Sequence, residues 1–325
     1  MNDLVFYFFA ASALFILELC YFKIADRFNI IDKPNQRSSH VIPTIRGGGV
    51  VFFFALIVWY VTHHFQYTGF FVGAVMIAVI SFMDDIGEQS ARLRLMIQLI
   101  SLLFMGWQAG FSDQAFWIIA IMLVVSAGTL NAFNFMDGIN GITGIYSLVN
   151  LGTFYCINRS MIAFTTSDLV VTMIIGVLVF LFFNLRKHAR CFAGDVGSVT
   201  IAFVQLFLLL QLIHTTGNYG WVLLFLIYGV DTVVTIIYRL IRRENIFKAH
   251  RLHLFQYFSN ELGIPHIWVA VLYGVLQLGI NILLVLFLPA TPGWLVLLFC
   301  AGIGVLYVFV REWVLKTVGV KGLFS

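Results

Sequence analysis

Residues 115–157 read AFWIIAIMLVVSAGTL, NAFNFMDGING, ITGIYSLVNLGTFYCI: two apolar runs, 115–130 and 142–157, flank eleven residues that hold three Asn, one Asp and no Lys or Arg. Each run of 16 residues rises about 24 Å as a helix, close to the roughly 30 Å of a hydrocarbon core. Polar side chains at that depth are expensive unless they are paired or solvated. The stretch 131–141 is therefore either a polar turn between two spans or a ligand site. Its length and its content of carboxamides and acid favour the second.

Working outward, the same alternation fills the chain. Of its 325 residues 61% are hydrophobic, 16% aromatic and only 10% charged, and the mean hydropathy is +0.97. That composition excludes a soluble globular domain and predicts an all-α polytopic membrane protein with about 10–11 transmembrane helices, a single integral-membrane domain over 1–325. The spans expected are 4–22, 47–63, 69–83, 92–109, 115–130, 142–157, 169–185, 199–213, 221–239, 267–288 and 294–310. Two are short, so their polar ends are expected in a protein-lined cleft. The N-terminus MNDLVFYFFA lacks the basic region of a removable signal and is expected to stay as a span. Cys20, Cys156, Cys191 and Cys300 are scattered with no C-x-x-C pair, which favours buried inert thiols over a disulfide framework.

The connections divide by charge. HHFQYT, GFSDQ, NRSMIAFTTS, HTTGNYG and PATPG are brief, and Arg159 is their one basic residue, whereas the other set carries the remaining 18 of 19 Lys and Arg. The positive-inside rule then predicts a multi-pass protein of the cytoplasmic (inner) membrane, with the N-terminus outside and the C-terminus in the cytoplasm. The polar features at 84–85, 131–141, 194–195 and 250–253 all fall on the cytoplasmic side, as a cytoplasmic-face active-site cleft requires. A transporter places its ionisable groups near the midplane on repeated halves, and no internal repeat is found here. A nucleotide-sugar or lipid-linked-sugar transporter remains the alternative, and a non-catalytic scaffold gives no reason for acids at span ends.

Asp84 and Asp85 close the third expected span, where the helix dipole and mutual repulsion both disfavour them. Either acid could bind a cation or act as a base, or the pair could be a solvated helix end helped by Arg92 and Arg94. Gly194-Asp195-Val196-Gly197-Ser198 opens the eighth span. Glycines allow close approach of a ligand, a helix N-terminus offers N–H groups to phosphate, and Asp195 suits Mg²⁺; an ordinary Gly-Asp turn reads the same way. His250-Arg251-Leu252-His253 lies in the longest basic connection, where Phe247, Leu254, Phe258 and Leu262 repeat at helical spacing. An interfacial amphipathic helix is expected there, its basic face reading headgroups or a nucleotide diphosphate. Zinc is disfavoured because no further ligand motif accompanies the two His. Asp231 is a buried acid inside the ninth span, with Arg239 two turns on as its expected partner. His40 and Arg46-Gly47-Gly48-Gly49 close the first basic loop and suit an anion, or a positive-inside anchor. His63, His64 and His214 have no acidic partner in sequence and are read as interface residues.

In this order the motifs resemble those of the polyprenyl-phosphate N-acetylhexosamine-1-phosphate transferases, a family that includes MraY-, WecA- and WbpL-type enzymes. The resemblance rests on N-x-x-N-x-x-D-G-x-x-G (131–141), F-x-G-D-x-G-S (192–198) and the Asp84-Asp85 pair. It implies transfer of a sugar-1-phosphate from a UDP-N-acetylhexosamine to undecaprenyl phosphate with release of UMP, initiating a cell-surface glycan of O-antigen or lipopolysaccharide type. Asp195 then corresponds to the Mg²⁺-binding aspartate, with Mn²⁺ as a substitute metal. Asp84 and Asp85 correspond to the pair that deprotonates or positions the lipid phosphate. Asn131, Asn134 and Asp137 line the catalytic cleft, Phe192 and Asn140 lie near uracil, and Gly194 lies against the substrate. His40, Arg46, His250, Arg251, His253, Asp231 and Arg239 complete the substrate-binding set. Arg251 interrupts a run of histidines found in MraY, and Asn140 stands where an Asp is common. R-S-S-H and H-R-L-H look closer to the WbpL-type branch. Direct attack by the lipid phosphate, with an acid of the 84/85 pair as base, is expected over a covalent aspartyl-phosphate. The expected partners are the UDP-sugar, undecaprenyl phosphate and the lipid bilayer; nucleic acid is not expected, and a homodimer is admitted.

Overall fold

The computed structural model describes residues 3–32, 42–245, 250–320 and 322. His40 and Phe247, both singled out in the sequence, lie outside the described residues. Helices occupy every expected span: α1 (Asp3–Phe28), α2 (Val50–Thr62), α3 (Thr68–Ile86), α4 (Ala91–Gln108), α5 (Phe116–Met136), α6 (Ile142–Ser160), α7 (Ser167–Asn184), α8 (Gly194–Thr216), α9 (Leu226–Ile241), a single turn α10 (Leu254–Gln256), α11 (His266–Phe287) and α12 (Gly293–Thr317). The protein is an all-α polytopic membrane protein. Among the described residues eight helical segments are long and apolar enough to cross a membrane. The other three expected spans are α2, α4 and α6. At 13 residues α2 rises only about 20 Å, α4 carries Arg92 and Arg94, and α6 turns Thr143, Ser147, Asn150 and Thr153 into the interior.

The bundle is built around α8. GDVGSVTIAFVQLFLLLQLIHTT is apolar on all sides, the composition of a helix with no water-facing or lipid-facing stripe, and α8 is enclosed by α2, α3, α5 and α6. Outside this ring α1 lies on α2 and α7, α11 lies on α6, and α12 touches the body through α9. A two-stranded ladder, β1 (Ile31–Asp32) with β2 (Thr44–Ile45), brings the first basic loop back to the bundle end, and Ile45 bridges Cys191.

Four sequence expectations are corrected. The ninth span is not one helix: Tyr219–Phe225 is a 3₁₀ segment before α9. Gln277 repairs the break from α11, accepting Ile227 N–H at 3.1 Å and donating to Leu223 O at 3.2 Å. A membrane interior tolerates irregular backbone only with such partners. The amphipathic helix expected near 247–262 is a turn at α10 and a π turn, Tyr257–Glu261. Gly263, at φ +67°, and Pro265 stop it there. Among the cysteines only Cys191 is buried, whereas Cys20 and Cys156 are exposed on the outer faces of their helices. An apolar run in a membrane helix therefore did not imply a protein-facing thiol. His63 does meet an acid: its Nε2 lies 3.4 Å from Asp168, contributed by α7.

Candidate active site

The ends of α3 and α5 and the starts of α2 and α8 come together at one end of the bundle. Two glycine loops make this possible. Gly48 N–H donates to Phe192 O at 2.8 Å and Gly49 N–H to Ala193 O at 3.0 Å, so residues 46–49 and 191–194 run side by side. Gly194 has φ +70°, and a Cβ there would stand 2.6 Å from Asp85 Oδ2 and 2.7 Å from Gly47 N.

Asp85 fills that space. Its Oδ1 accepts from Asp195 N–H at 2.9 Å and lies 2.7 Å from Arg46 Nε, and its Oδ2 accepts from Val196 N–H at 2.9 Å. The acid thus caps the N-terminus of α8 from a neighbouring helix, an end where the dipole favours negative charge. This removes the expected penalty of its place at the C-terminus of α3. It also bears on the expectation for the helix end: the N–H groups of Asp195 and Val196 at the start of α8 are taken by Asp85, so these two do not face a phosphate, and both oxygens of Asp85 are engaged by N–H or guanidinium donors. Asp84 accepts from Gln89 N–H at 2.6 Å and from Arg94 Nη1 at 2.8 Å, the same nitrogen that faces Asp195, and its carboxyl lies beside that of Asp195.

Asp195 sits among cations. Arg46 Nη2 is 3.1 Å from one oxygen, while Arg94 Nη1, at 3.7 Å, and Asn134 Nδ2, at 3.3 Å, face the other. Ser198 Oγ donates to Asn134 Oδ1 at 3.1 Å and so fixes the amide. Ser198 and Arg94 carry weight that the sequence reading did not give them. Their signal was spacing: Ser198 is one turn after Gly194 on α8, and Arg94 one turn into α4.

The stretch 131–141 is divided. Asn134 joins the Asp195 cluster, whereas Asn131 donates to Ala127 O in its own helix at 2.8 Å. Asp137 ends α5 and accepts from Thr143 Oγ1 at 2.6 Å. Burial pushes its carboxyl up to about 7, against the pull of the Thr143 hydroxyl, and Asp85 adds to the rise. Asn140 is buried, donating through Nδ2 to Arg186 O at 2.8 Å, and Gly141 N–H donates to Asn184 Oδ1 at 2.7 Å. These bonds pin the turn to α7. Phe192 is half-buried beside Ile45, held through its backbone.

The histidine loop has its own buried partners, and its two histidines pack on Phe135, next to Asn134. His253 Nδ1 is 2.8 Å from Asp231, and His250 stacks on His253 at 5.0 Å. Burial, with the neighbouring charges of His253, Arg239 and Arg311, holds the His250 imidazole down at about 4. The expected Asp231–Arg239 pair does not form. Arg239 bonds Glu244 at 3.2 Å and the Asn245 carbonyl, because the chain folds back directly after α9. Arg251 is half-buried.

Among the described residues no group of three His, Cys, Asp or Glu side chains has metal-ligand spacing. Asp195 is the acid whose oxygens face both arginines and a carboxamide. The carboxylate oxygens of Asp195, beside Asp84, fit Mg²⁺, which takes one or two carboxylates and completes its shell with phosphate oxygens and water, once the two guanidiniums turn from Asp195 to the phosphates.

Residues 67–213 match the family described as glycosyl transferase family 4, a segment that holds Asp84, Asp85, 131–141 and Asp195. The chain is 27% identical over 252 residues to a Bacillus subtilis (strain 168) protein named a probable undecaprenyl-phosphate N-acetylglucosaminyl 1-phosphate transferase, covering 71% of this chain and 70% of that one. It is 28% identical over 243 residues to the Yersinia pestis undecaprenyl-phosphate alpha-N-acetylglucosaminyl 1-phosphate transferase, covering 67% and 63%. Against the protein of the same name from Escherichia coli (strain K12), identity is 27% over 214 residues, covering 58% and 57%. The matched part is thus less than two thirds of the length of the latter two.

Proposed function

We propose that the chain, which matches glycosyl transferase family 4 over residues 67–213 and is similar to undecaprenyl-phosphate N-acetylglucosaminyl 1-phosphate transferases, moves a sugar-1-phosphate from a UDP-N-acetylhexosamine to undecaprenyl phosphate at the cytoplasmic face of the inner membrane. UMP leaves, and the lipid-linked sugar would begin a cell-surface glycan of O-antigen or lipopolysaccharide type. The observation that carries this reading is the interlocked set Asp84, Asp85, Asp195, Arg46, Arg94 and Asn134 at one bundle end. Three acids, two arginines and a carboxamide gathered at one bundle end suit a reaction between two anions.

In the proposed reaction an oxygen of the lipid phosphate bonds to the sugar-bearing phosphorus, and the bond from that phosphorus to the bridging oxygen breaks, leaving UMP. Arg46 and Arg94 exchange their contacts on Asp195 for phosphate oxygens, holding both anions and neutralising charge on the leaving group. Asp195, with Asn134 beside it, would hold Mg²⁺, which when bound supplies Lewis-acid stabilisation of the diphosphate. Asp137 takes the proton of the lipid phosphate. It replaces the 84/85 pair in that role because Asp85 and Asp84 are committed to N–H and guanidinium donors, whereas Asp137 has one hydrogen bond among the described residues, from Thr143. Those bonds also argue against Asp85 as a covalent nucleophile, and trapping of a phospho-enzyme in a single turnover would overturn direct attack.

The reading is tested by purified protein in nanodiscs with undecaprenyl phosphate and a panel of UDP-N-acetylhexosamines. Mg²⁺-dependent UMP release with one sugar is expected, abolished by excess chelator. Counterflow of intact UDP-sugar without UMP would replace it with the transporter reading.

Asp137 acts as a carboxylate, so activity should fall as pH drops through about 7. Thr143→Val removes the hydroxyl that favours the charged form, and the acid limb of kcat/KM should move to higher pH. A limb that stays put or moves down rules out Asp137 as the base.

A further inference from the structure

The first helix, read in the sequence only as a retained span, reaches the site end of the bundle with two buried polar side chains one turn apart. Tyr21 is 4% exposed, and its hydroxyl donates to Arg46 O at 2.6 Å. Arg46 N–H donates to Ile30 O at 3.1 Å, two residues beyond α1. Both main-chain groups of Arg46 are therefore held from α1 and the turn that follows it. Glu18 is fully buried, and its Oε1 accepts from the Cys191 thiol at 3.7 Å, so α1 also meets the facing loop.

The glycines of the loop are matched to these contacts. Gly47 has φ +79°, and a Cβ there would stand 2.5 Å from the Tyr21 hydroxyl oxygen; a Cβ on Gly48 would stand 3.0 Å from Glu18 Oε1. The Tyr21 ring packs edge-on against Phe82 of α3 at 6.3 Å, three residues before Asp85. Phenylalanine would keep that packing, so the hydroxyl is what ties the ring to Arg46. A buried carbonyl needs a donor, which a water could supply; what a water cannot supply is a fixed position. Arg46 needs one because its guanidinium is shared, 2.7 Å from Asp85 and 3.1 Å from Asp195, and leaves Asp195 for a phosphate oxygen in the proposed reaction. A side chain whose head moves is aimed only if its main chain stays still.

We propose that Tyr21 is a positioning residue that acts through Arg46, fixing the main chain from which the guanidinium moves between Asp195 and a substrate phosphate. The inference rests on the transferase reading for the phosphate, and the hold on Arg46 does not depend on it.

The test compares Tyr21→Phe, Arg46→Ala, the double variant Tyr21→Phe/Arg46→Ala and Tyr7→Phe in UMP release, each with a thermal scan. Tyr7 is the control: its hydroxyl also ties α1 to a neighbour, Asp168 of α7, but at the other end of the helix. Tyr21→Phe should lower kcat/KM by roughly 10- to 100-fold, the loss expected when a charged group is misplaced by up to about 1 Å. Tyr7→Phe should leave kcat/KM unchanged. A hydroxyl that only stabilises the fold would act like that of Tyr7, lowering the melting temperature and sparing the rate. In the Arg46→Ala background Tyr21→Phe should have no further effect, because residues that act as a unit are not additive. Losses that multiply in the double variant, wild-type kcat/KM in Tyr21→Phe, or an equal loss in Tyr7→Phe overturns the proposal. A second readout needs no turnover: hydrogen exchange of peptides spanning 44–52, read by mass spectrometry on protein in nanodiscs. The Arg46, Gly48 and Gly49 amides, which bond Ile30, Phe192 and Ala193, should exchange about 10-fold faster in Tyr21→Phe and at the wild-type rate in Tyr7→Phe. Equal exchange in wild type and Tyr21→Phe overturns the proposal, also where Arg46→Ala leaves too little activity for the double variant to be read. If the wild type released no UMP, the transferase reading would fail while hydrogen exchange still decided whether Tyr21 holds Arg46.

Discussion

Asp195→Asn should lower UMP release by at least about 1,000-fold, which corresponds to roughly 4 kcal/mol of transition-state stabilisation. The amide preserves shape, so Asn134 and Ser198 keep their places, but it removes the charge that faces both Arg46 and Arg94. An amide is also a poor ligand for a hard dication. Asp195 is mostly buried beside Asp85 and Asp84, whose charges oppose its own, so loss of its charge relieves repulsion as it removes ion pairs and the melting temperature should shift by only a few degrees. Activity and Mg²⁺ dependence are measured on protein shown to be folded by thermal scanning. Asp195→Asn with full activity, or with activity that survives chelation, removes Asp195 from the metal site. Arg46→Ala gives a contrasting result. It strips a partner from the buried carboxylate of Asp85, so activity and melting temperature should fall together.

The helices were legible because each span is long, apolar and bounded by polar connections, a one-dimensional signal. What the sequence could not convey was which neighbour each polar side chain would meet. Asp84 and Asp85 are adjacent in the chain yet belong to different tasks, since successive residues on a helix point about 100° apart. Asp85 meets the start of α8 and Asp84 meets Arg94. Asp231 and Arg239 are eight residues apart on one helix, a spacing that suggested a pair, but tertiary contacts with His253 and Glu244 override it. Arg311 read as a loop charge because the apolar run seemed to stop at 310, whereas α12 continues to Thr317. Gln277 could not be connected to a break at 219–225 whose one breaker, Gly220, lies at its start. The site was therefore legible as a set of residue types at one bundle end, and its division of labour became visible only with the packing.

Gly49→Ala should abolish activity and destabilise the protein, and the reason lies in two backbones. A Cβ on Gly49 would stand 2.3 Å from Gly197 Cα and 2.8 Å from Ala193 O, and a Cβ on Gly197 would stand 2.5 Å from Gly49 Cα. Neither obstacle is a side chain that can rotate away, so α2 and α8 must separate. Separation breaks the Gly48–Phe192 and Gly49–Ala193 hydrogen bonds and carries Arg46 away from Asp85 and Asp195. Overpacking of this kind costs about 1–3 kcal/mol in a well-packed interior. Displacement of charged groups by about 1 Å should reduce the rate by roughly 100-fold or more. Gly152→Ala is the control: nothing lies within 4 Å of the added methyl, and a helix interior favours Ala over Gly by up to about 1 kcal/mol. Thermal scanning and UMP release on Gly49→Ala, Gly197→Ala and Gly152→Ala separate the effects. If Gly49→Ala matches Gly152→Ala in both, the two glycine loops do not set the position of Arg46, and the apposition of α2 and α8 is not what builds the site.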